Sequence, residues 1–182
     1  MTAKDVLDFW TNAGPKKWFA KDDAFDQAIR EGYEALHMQA SRGELAAWAE
    51  TPEGALALLV LLDQFPRNIY RGSAHAFATD PLALATAQAA IERGFDARLA
   101  PELRPFVYLP FEHSERIEEQ NRSVALCEAH RDATGDKDTL RWAILHREII
   151  QRFGRFPHRN RALGRTTTPE EQAFLDGGGF AG

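Results

Sequence analysis

Apolar side chains recur along this chain at three- and four-residue steps, the period of a helix with one buried face. Phe25, Ile29, Tyr33, Leu36 and Ala40 form such a stripe and predict a helix over 22–42. The same pattern predicts helices near 3–10, 52–64, 81–93, 114–131 and 138–153, with shorter ones near 44–50, 73–78, 101–107 and 169–176. Thr51-Pro52-Glu53, Asp80-Pro81 and Thr168-Pro169-Glu170-Glu171 each set a capping side chain before a proline at the first helical position. Glu171 completes a capping box with Thr168. Gly43, Gly72, Gly94 and Gly135 follow periodic segments as stops. Ala55 to Leu62 is apolar all round and predicts a helix covered on every side, at the middle of the core. No segment alternates long enough for a strand, and the connections are short. The prediction is an all-α fold, a compact stack of antiparallel hairpins with about 8–10 helices. With no linker-like stretch, residues 1–182 are expected to form a single domain.

Composition narrows the role. The chain has 182 residues, 44% hydrophobic and 27% charged, enough for an ordinary core without disulfide or metal support. Its net charge of −5 argues against general nucleic-acid binding. Cys127 has no second cysteine to pair with, which suits a reducing compartment. Met1 to Val6 lack the apolar core of a secretory leader, and the eight-residue run Ala55–Leu62 is too short to span a bilayer. The expected setting is the cytoplasm, with no membrane partner.

Two elbows echo each other. Phe65-Pro66-Arg67-Asn68 and Phe156-Pro157-His158-Arg159-Asn160 each follow an apolar helix, and each is followed by a glycine, Gly72 or Gly164. Proline is expected to end the helix by disfavouring helical geometry at the preceding phenylalanine. Convergent helix-ending punctuation explains the echo, and so does a duplicated unit whose Arg-Asn corners face a common space. From Arg141 to Arg165 there are seven arginines and one acid, Glu148, or +6. Such a cluster, with Arg155 and Arg159 in it, either pairs with acids of the same chain or holds phosphate or carboxylate groups. Asp63 ends the aliphatic run four residues before Arg67, and there a buried carboxylate needs a partner.

Proton chemistry has two candidate sources. Glu112-His113-Ser114-Glu115 sets two carboxylates around one imidazole near a helix start, an arrangement that serves capping by Ser114 or acid–base work. His146 falls in the stripe Trp142, His146, Ile149, Ile150 and Phe153, either as a hydrogen-bonded core residue or as a group with a shifted pKa. Metal signals are thin: Glu34-x-x-His37 is half of a di-iron pattern, and no His-Glu-x-x-His or paired-cysteine motif occurs. No metal or cofactor is expected. The Gly177-Gly178-Gly179 run is read as a helix stop followed by a flexible tail.

Taken in order, Trp18-Phe19, Thr51-Pro52-Glu53-Gly54-Ala55-Leu56-Ala57, Leu61-Leu62-Asp63-Gln64-Phe65-Pro66-Arg67-Asn68, Tyr108-Leu109-Pro110-Phe111-Glu112-His113-Ser114-Glu115 and Arg152-Phe153-Gly154-Arg155-Phe156-Pro157-His158-Arg159-Asn160 resemble the bacterial domain-of-unknown-function family 924. The resemblance reaches Glu170-Glu171 and Gly178-Gly179-Phe180. It implies a compact all-α domain similar to tetratricopeptide-like helical repeats. It implies no established activity, substrate or cofactor.

Three readings of function follow. In the first, Asp63, Arg67, Asn68, Arg155, His158, Arg159 and Asn160 line a pocket that binds an anionic small molecule or an acidic peptide. In the second, a hydrolase- or lyase-type enzyme uses His113 or His146 to move a proton, oriented by Glu112 or Glu115. In the third, the motifs knit the corners of a scaffold. The first two expect both elbows to meet beside His146 and the acidic start of the 114–131 helix.

Overall fold

The structure is a computed structural model that describes residues 1–181. The described residues contain helices and no strand, so the protein is all-α. Two compact units divide the chain, Met1–Arg71 with His75–Pro110, and Gly72–Ala74 with Phe111–Gly182. No described helix is long and apolar enough to cross a membrane.

The first unit contains α1 (Ala3–Ala13), α2 (Pro15–Trp18), α3 (Asp23–Ser41), a 3-10 turn (Ala46–Glu50), α4 (Pro52–Leu59), a π turn (Val60–Gln64), α5 (Phe65–Ile69) and α6 (Asp80–Glu92). The predicted stripe of α3 is buried at every position from Phe25 to Ala40, and Asp22 caps the helix through the amides of Ala24 and Phe25. Thr51 caps α4 by accepting from the Gly54 amide. The all-apolar run Ala55–Leu62 is buried throughout, and α4 packs against α1, α6 and the 3-10 turn. An aromatic cluster fills the other side. Trp10 stands 5.7 Å from Phe65 and 5.5 Å from Phe106, ring centre to ring centre. The short α2, absent from the predicted elements, brings the Trp18 indole N–H to the Trp10 carbonyl at 2.7 Å.

Pro66 does not end its helix, contrary to expectation. The chain widens into the π turn at Val60–Gln64 and continues as α5 to Ile69. Proline has no N–H for a carbonyl four or five residues back, which would strand the buried Leu62 and Leu61 oxygens. Side chains from elsewhere in the unit replace it. The Thr79 hydroxyl donates to the Leu62 carbonyl at 2.6 Å, and His37 Nδ1 bonds the Leu61 carbonyl at 2.8 Å. Arg67 donates to the Asp63 carbonyl at 2.6 Å. Asp80, expected as a cap, instead pairs with Arg67, and Thr79 at the cap position makes no capping bond.

α7 (Pro105–Glu112) carries the chain into the second unit, which contains α8 (Ile117–Thr134), α9 (Asp138–Phe153), a 3-10 turn (Pro157–Arg159) and α10 (Pro169–Asp176). α8 and α9 form a closely packed hairpin. Their junction is Gly135, whose φ of 83° is the left-handed conformation a helix C-terminus favours. Ser114 is not the cap of α8. The helix begins after Arg116, and the Ser114 hydroxyl accepts from the Arg116 amide inside the turn. α9 stops at Gly154 in the left-handed conformation, three residues before Pro157. Ile149, Ile150 and Phe156 form the core of this unit, with Ile117, Leu145, Phe153, Phe174 and Phe180 packed on it. Of the predicted α9 stripe, Trp142 is exposed and Phe153 half-buried, while the others are buried. Thr168 and Glu171 form the predicted capping box of α10.

Candidate functional site

The candidate residues fall into two groups, one in each unit. In the first, the π turn aims Asp63 back towards Arg67, whose Nη1 lies 3.1 Å from the Asp63 carboxylate. The same guanidinium grips Asp80 with two bonds of 2.9 and 3.1 Å. Gln64 adds an amide donor to Asp63. Burial disfavours the Arg67 charge, but Asp63 and Asp80 outweigh it and raise its pKa. Asn68 donates to Asp26 at 2.7 Å, and Arg71 forks onto that carboxylate. The polar side chains of the first elbow are therefore engaged by acids of their own unit.

The second unit holds the rest: Glu112, His113, Glu115, His146, Arg155, His158, Arg159 and Asn160. They separate into a structural chain and a histidine cluster that meet at Phe156. In the chain, Glu115 accepts the Phe156 amide at 2.8 Å and two Arg165 bonds of 2.7 and 3.0 Å. Arg165 reaches the Asn160 side-chain oxygen at 3.0 Å, and Asn160 donates to Glu171 at 3.1 Å. Arg155 closes the series with two bonds to Glu171, 2.6 and 2.8 Å. Burial alone would push the Glu115 carboxyl up, but Arg165, the Phe156 amide and the Arg159 charge hold it below the usual range. Glu171 is held at about 2, chiefly by the Arg155 bond and against its burial.

The cluster is built from a helix end, a helix face and an elbow. Gln120, fully buried, donates to the Glu112 and Ser114 carbonyls at 2.5 and 2.6 Å and fixes the turn after α7. Glu112 and His146 are buried, with Glu112 Oε1 3.1 Å from His146 Nδ1. The same nitrogen lies 2.9 Å from the Trp142 carbonyl. Two acceptors therefore face Nδ1, which assigns it the proton. The Phe156 ring lies 5.5 Å from His146 and 5.6 Å from His158, with the Arg159 guanidinium 4.5 Å from its centre. His113 stands 6.5 Å from His146. Phe180 lies 4.5 Å from His146 and 5.2 Å from His158, so the segment expected to be a flexible tail is packed here. Cys127 is no nucleophile: burial first, then the Glu112 charge, pushes its thiol up to about 12. Among the described residues, no three His, Cys, Asp or Glu side chains converge as a metal site requires.

Sequence reasoning passed over Arg165, Gln120 and Phe180, and it gave Glu171 only its capping role. A terminal aromatic after three glycines was the one visible signal for Phe180.

The sequence profile of a family described as bacterial protein of unknown function (DUF924) matches residues 6–179. The chain belongs to this family. A solved structure described as a protein of unknown function, ATU0120 from Agrobacterium tumefaciens, is similar to it with 49% identity and a TM-score of 0.91. That alignment covers 96% of this chain and 97% of the other. No curated protein matches the chain. The DUF924 assignment thus establishes the family and brings no activity with it.

Proposed function

We propose that the second unit binds a small anionic molecule and moves a proton on it. The observation that carries this reading is the buried Glu112–His146 pair, 3.1 Å apart, with His113 6.5 Å from His146 and with His158 and Arg159 on the Phe156 ring that His146 also meets. A buried carboxylate against an imidazole is a poor device for stability alone, since desolvation offsets much of the attraction. As an acid–base device it is economical. The carboxylate orients Nδ1 and stabilises the imidazolium, while Nε2 takes or gives the proton. Arg159 supplies positive charge for the ligand, and His158 supplies a polar ring beside it.

Arg67, Arg155 and Arg165 have carboxylate partners already, which leaves them a structural part. A scaffold role accounts for the Glu115-Arg165-Asn160-Glu171-Arg155 series.

Thermal unfolding with inorganic phosphate, propionate and phosphorylated metabolites tests the reading. Stabilisation should rise with ligand concentration over its dissociation constant. It should be lost in His146→Gln and Arg159→Gln and kept in Arg161→Ala. No response to any anion, or equal responses in all variants, refutes anion binding. Turnover of a stabilising ligand should vanish in Glu112→Gln and His146→Gln, and turnover that survives both refutes the proton-transfer role.

A further inference from the structure

The last aromatic of the chain occupies the histidine cluster, and the chain before it is built to deliver it there. α10 ends at Asp176, and three glycines follow. Gly179 runs flush against Phe174: a Cβ there would lie 2.6 Å from that ring, and its amide donates to the Phe174 carbonyl at 2.9 Å. A side chain at this position would have to push the Phe174 ring aside. The next residue, Phe180, enters between His146 and His158 at 4.5 and 5.2 Å, with its plane at 65° and 83° to theirs. Trp142, 41% exposed, meets the ring at 6.2 Å.

The ring is half-buried, in contrast to the fully buried Phe156 beneath the cluster. Both imidazoles also meet the Phe156 ring, and the Arg159 guanidinium lies 4.5 Å from the centre of that ring. A slot lined by two imidazoles and a phenyl face, with a guanidinium nearby, suits an aromatic ring joined to a negative group. Its occupant in this structure supplies the ring.

We propose that Phe180 stands in for the aromatic part of the ligand. The site of the preceding subsection takes an arylalkyl carboxylate, and the segment from Gly177 to Phe180 withdraws to admit it. This specifies the ligand class and rests on the reading of the cluster as an anion site. Competition between ring and ligand then lowers the affinity of the intact chain, because only the open fraction can bind.

Titration of the full chain with 3-phenylpropionate, with propionate as the ringless control, tests it. Phe180→Ala should bind phenylpropionate at least about tenfold more tightly than the unaltered chain, with propionate affinity changed far less. NMR signals of the His146 and His158 rings should move on adding phenylpropionate to Phe180→Ala, and His158→Gln should weaken the binding. Phe180→Leu, which keeps an apolar plug, should fall between the two and guards against poor folding of the alanine variant. Equal phenylpropionate affinity with and without the Phe180 ring, or no binding by either, overturns the proposal. In that event, propionate binding that still depends on His146 leaves the anion site standing. Loss of that dependence removes both.

Discussion

Thr79→Val isolates the carbonyl accounting at the π turn. Valine matches threonine in shape, and Thr79 is only 5% exposed, so the change removes a hydroxyl and little packing. That hydroxyl donates to the Leu62 oxygen at 2.6 Å, and Pro66 has no N–H to take its place. A buried carbonyl left without its donor costs about 1–3 kcal/mol. For a chain of this size, each kcal/mol lowers Tm by roughly 2–4 °C. Urea unfolding should therefore show a lower midpoint with an unchanged slope. Pro66→Ala supplies an N–H four residues after Leu62. In that background Thr79→Val should cost less, with a coupling on the order of 1 kcal/mol. A single-variant cost below about 0.5 kcal/mol, the range of neutral surface changes, refutes the reasoning. So does an equal cost in both backgrounds.

Two further outcomes bear on the elbow and on the start of α4. Glu171 and Glu115 have pKa values below the ordinary carboxylate value of 4.5, so their stabilisation is present above that pH and is lost as the pH falls through the lowered values, about 2 for Glu171. Urea midpoints measured from about pH 6 to about pH 3 should fall for the unaltered chain and flatten in Glu171→Gln; a flat profile for the unaltered chain contradicts the bonding described. Gly54→Ala should lower Tm although alanine favours helix by about 1 kcal/mol, because the new methyl meets the Trp48 carbonyl oxygen and lies 2.8 Å from Thr51 Oγ1. A raised Tm would show that the α4 start relaxes freely.

Periodicity carried the fold well where one face of a helix is buried, as in α3, and where caps are local, as at Thr51 and Thr168. It failed at Pro66, because the rule that proline stops a helix assumes that no side chain can replace the missing N–H. His37 and Thr79 do so from 24 and 17 residues away in sequence, and no local pattern reports that. Ser114 misled for a related reason: its spacing fits a cap, but Gln120 holds the turn in another conformation. The candidate site was legible in residue type and not in grouping. Glu112 and His146 were each visible as acid–base candidates, yet their pairing spans α7 and α9. The arginine run was legible as charge, but the acids that answer Arg155 and Arg165, Glu171 and Glu115, are spread over more than fifty positions.

The π turn also acts as a phase setter. One residue advances an α-helix by about 100°, so the additional residue at Val60–Gln64 rotates everything after it relative to α4. Arg67 and Asn68 reach Asp80 and Asp26 only in that rotated frame. Deleting a single position there would restore an ordinary helix and swing both side chains away from their acids. The direction of this elbow is thus set by the length of the chain through the turn as much as by the side chains in it.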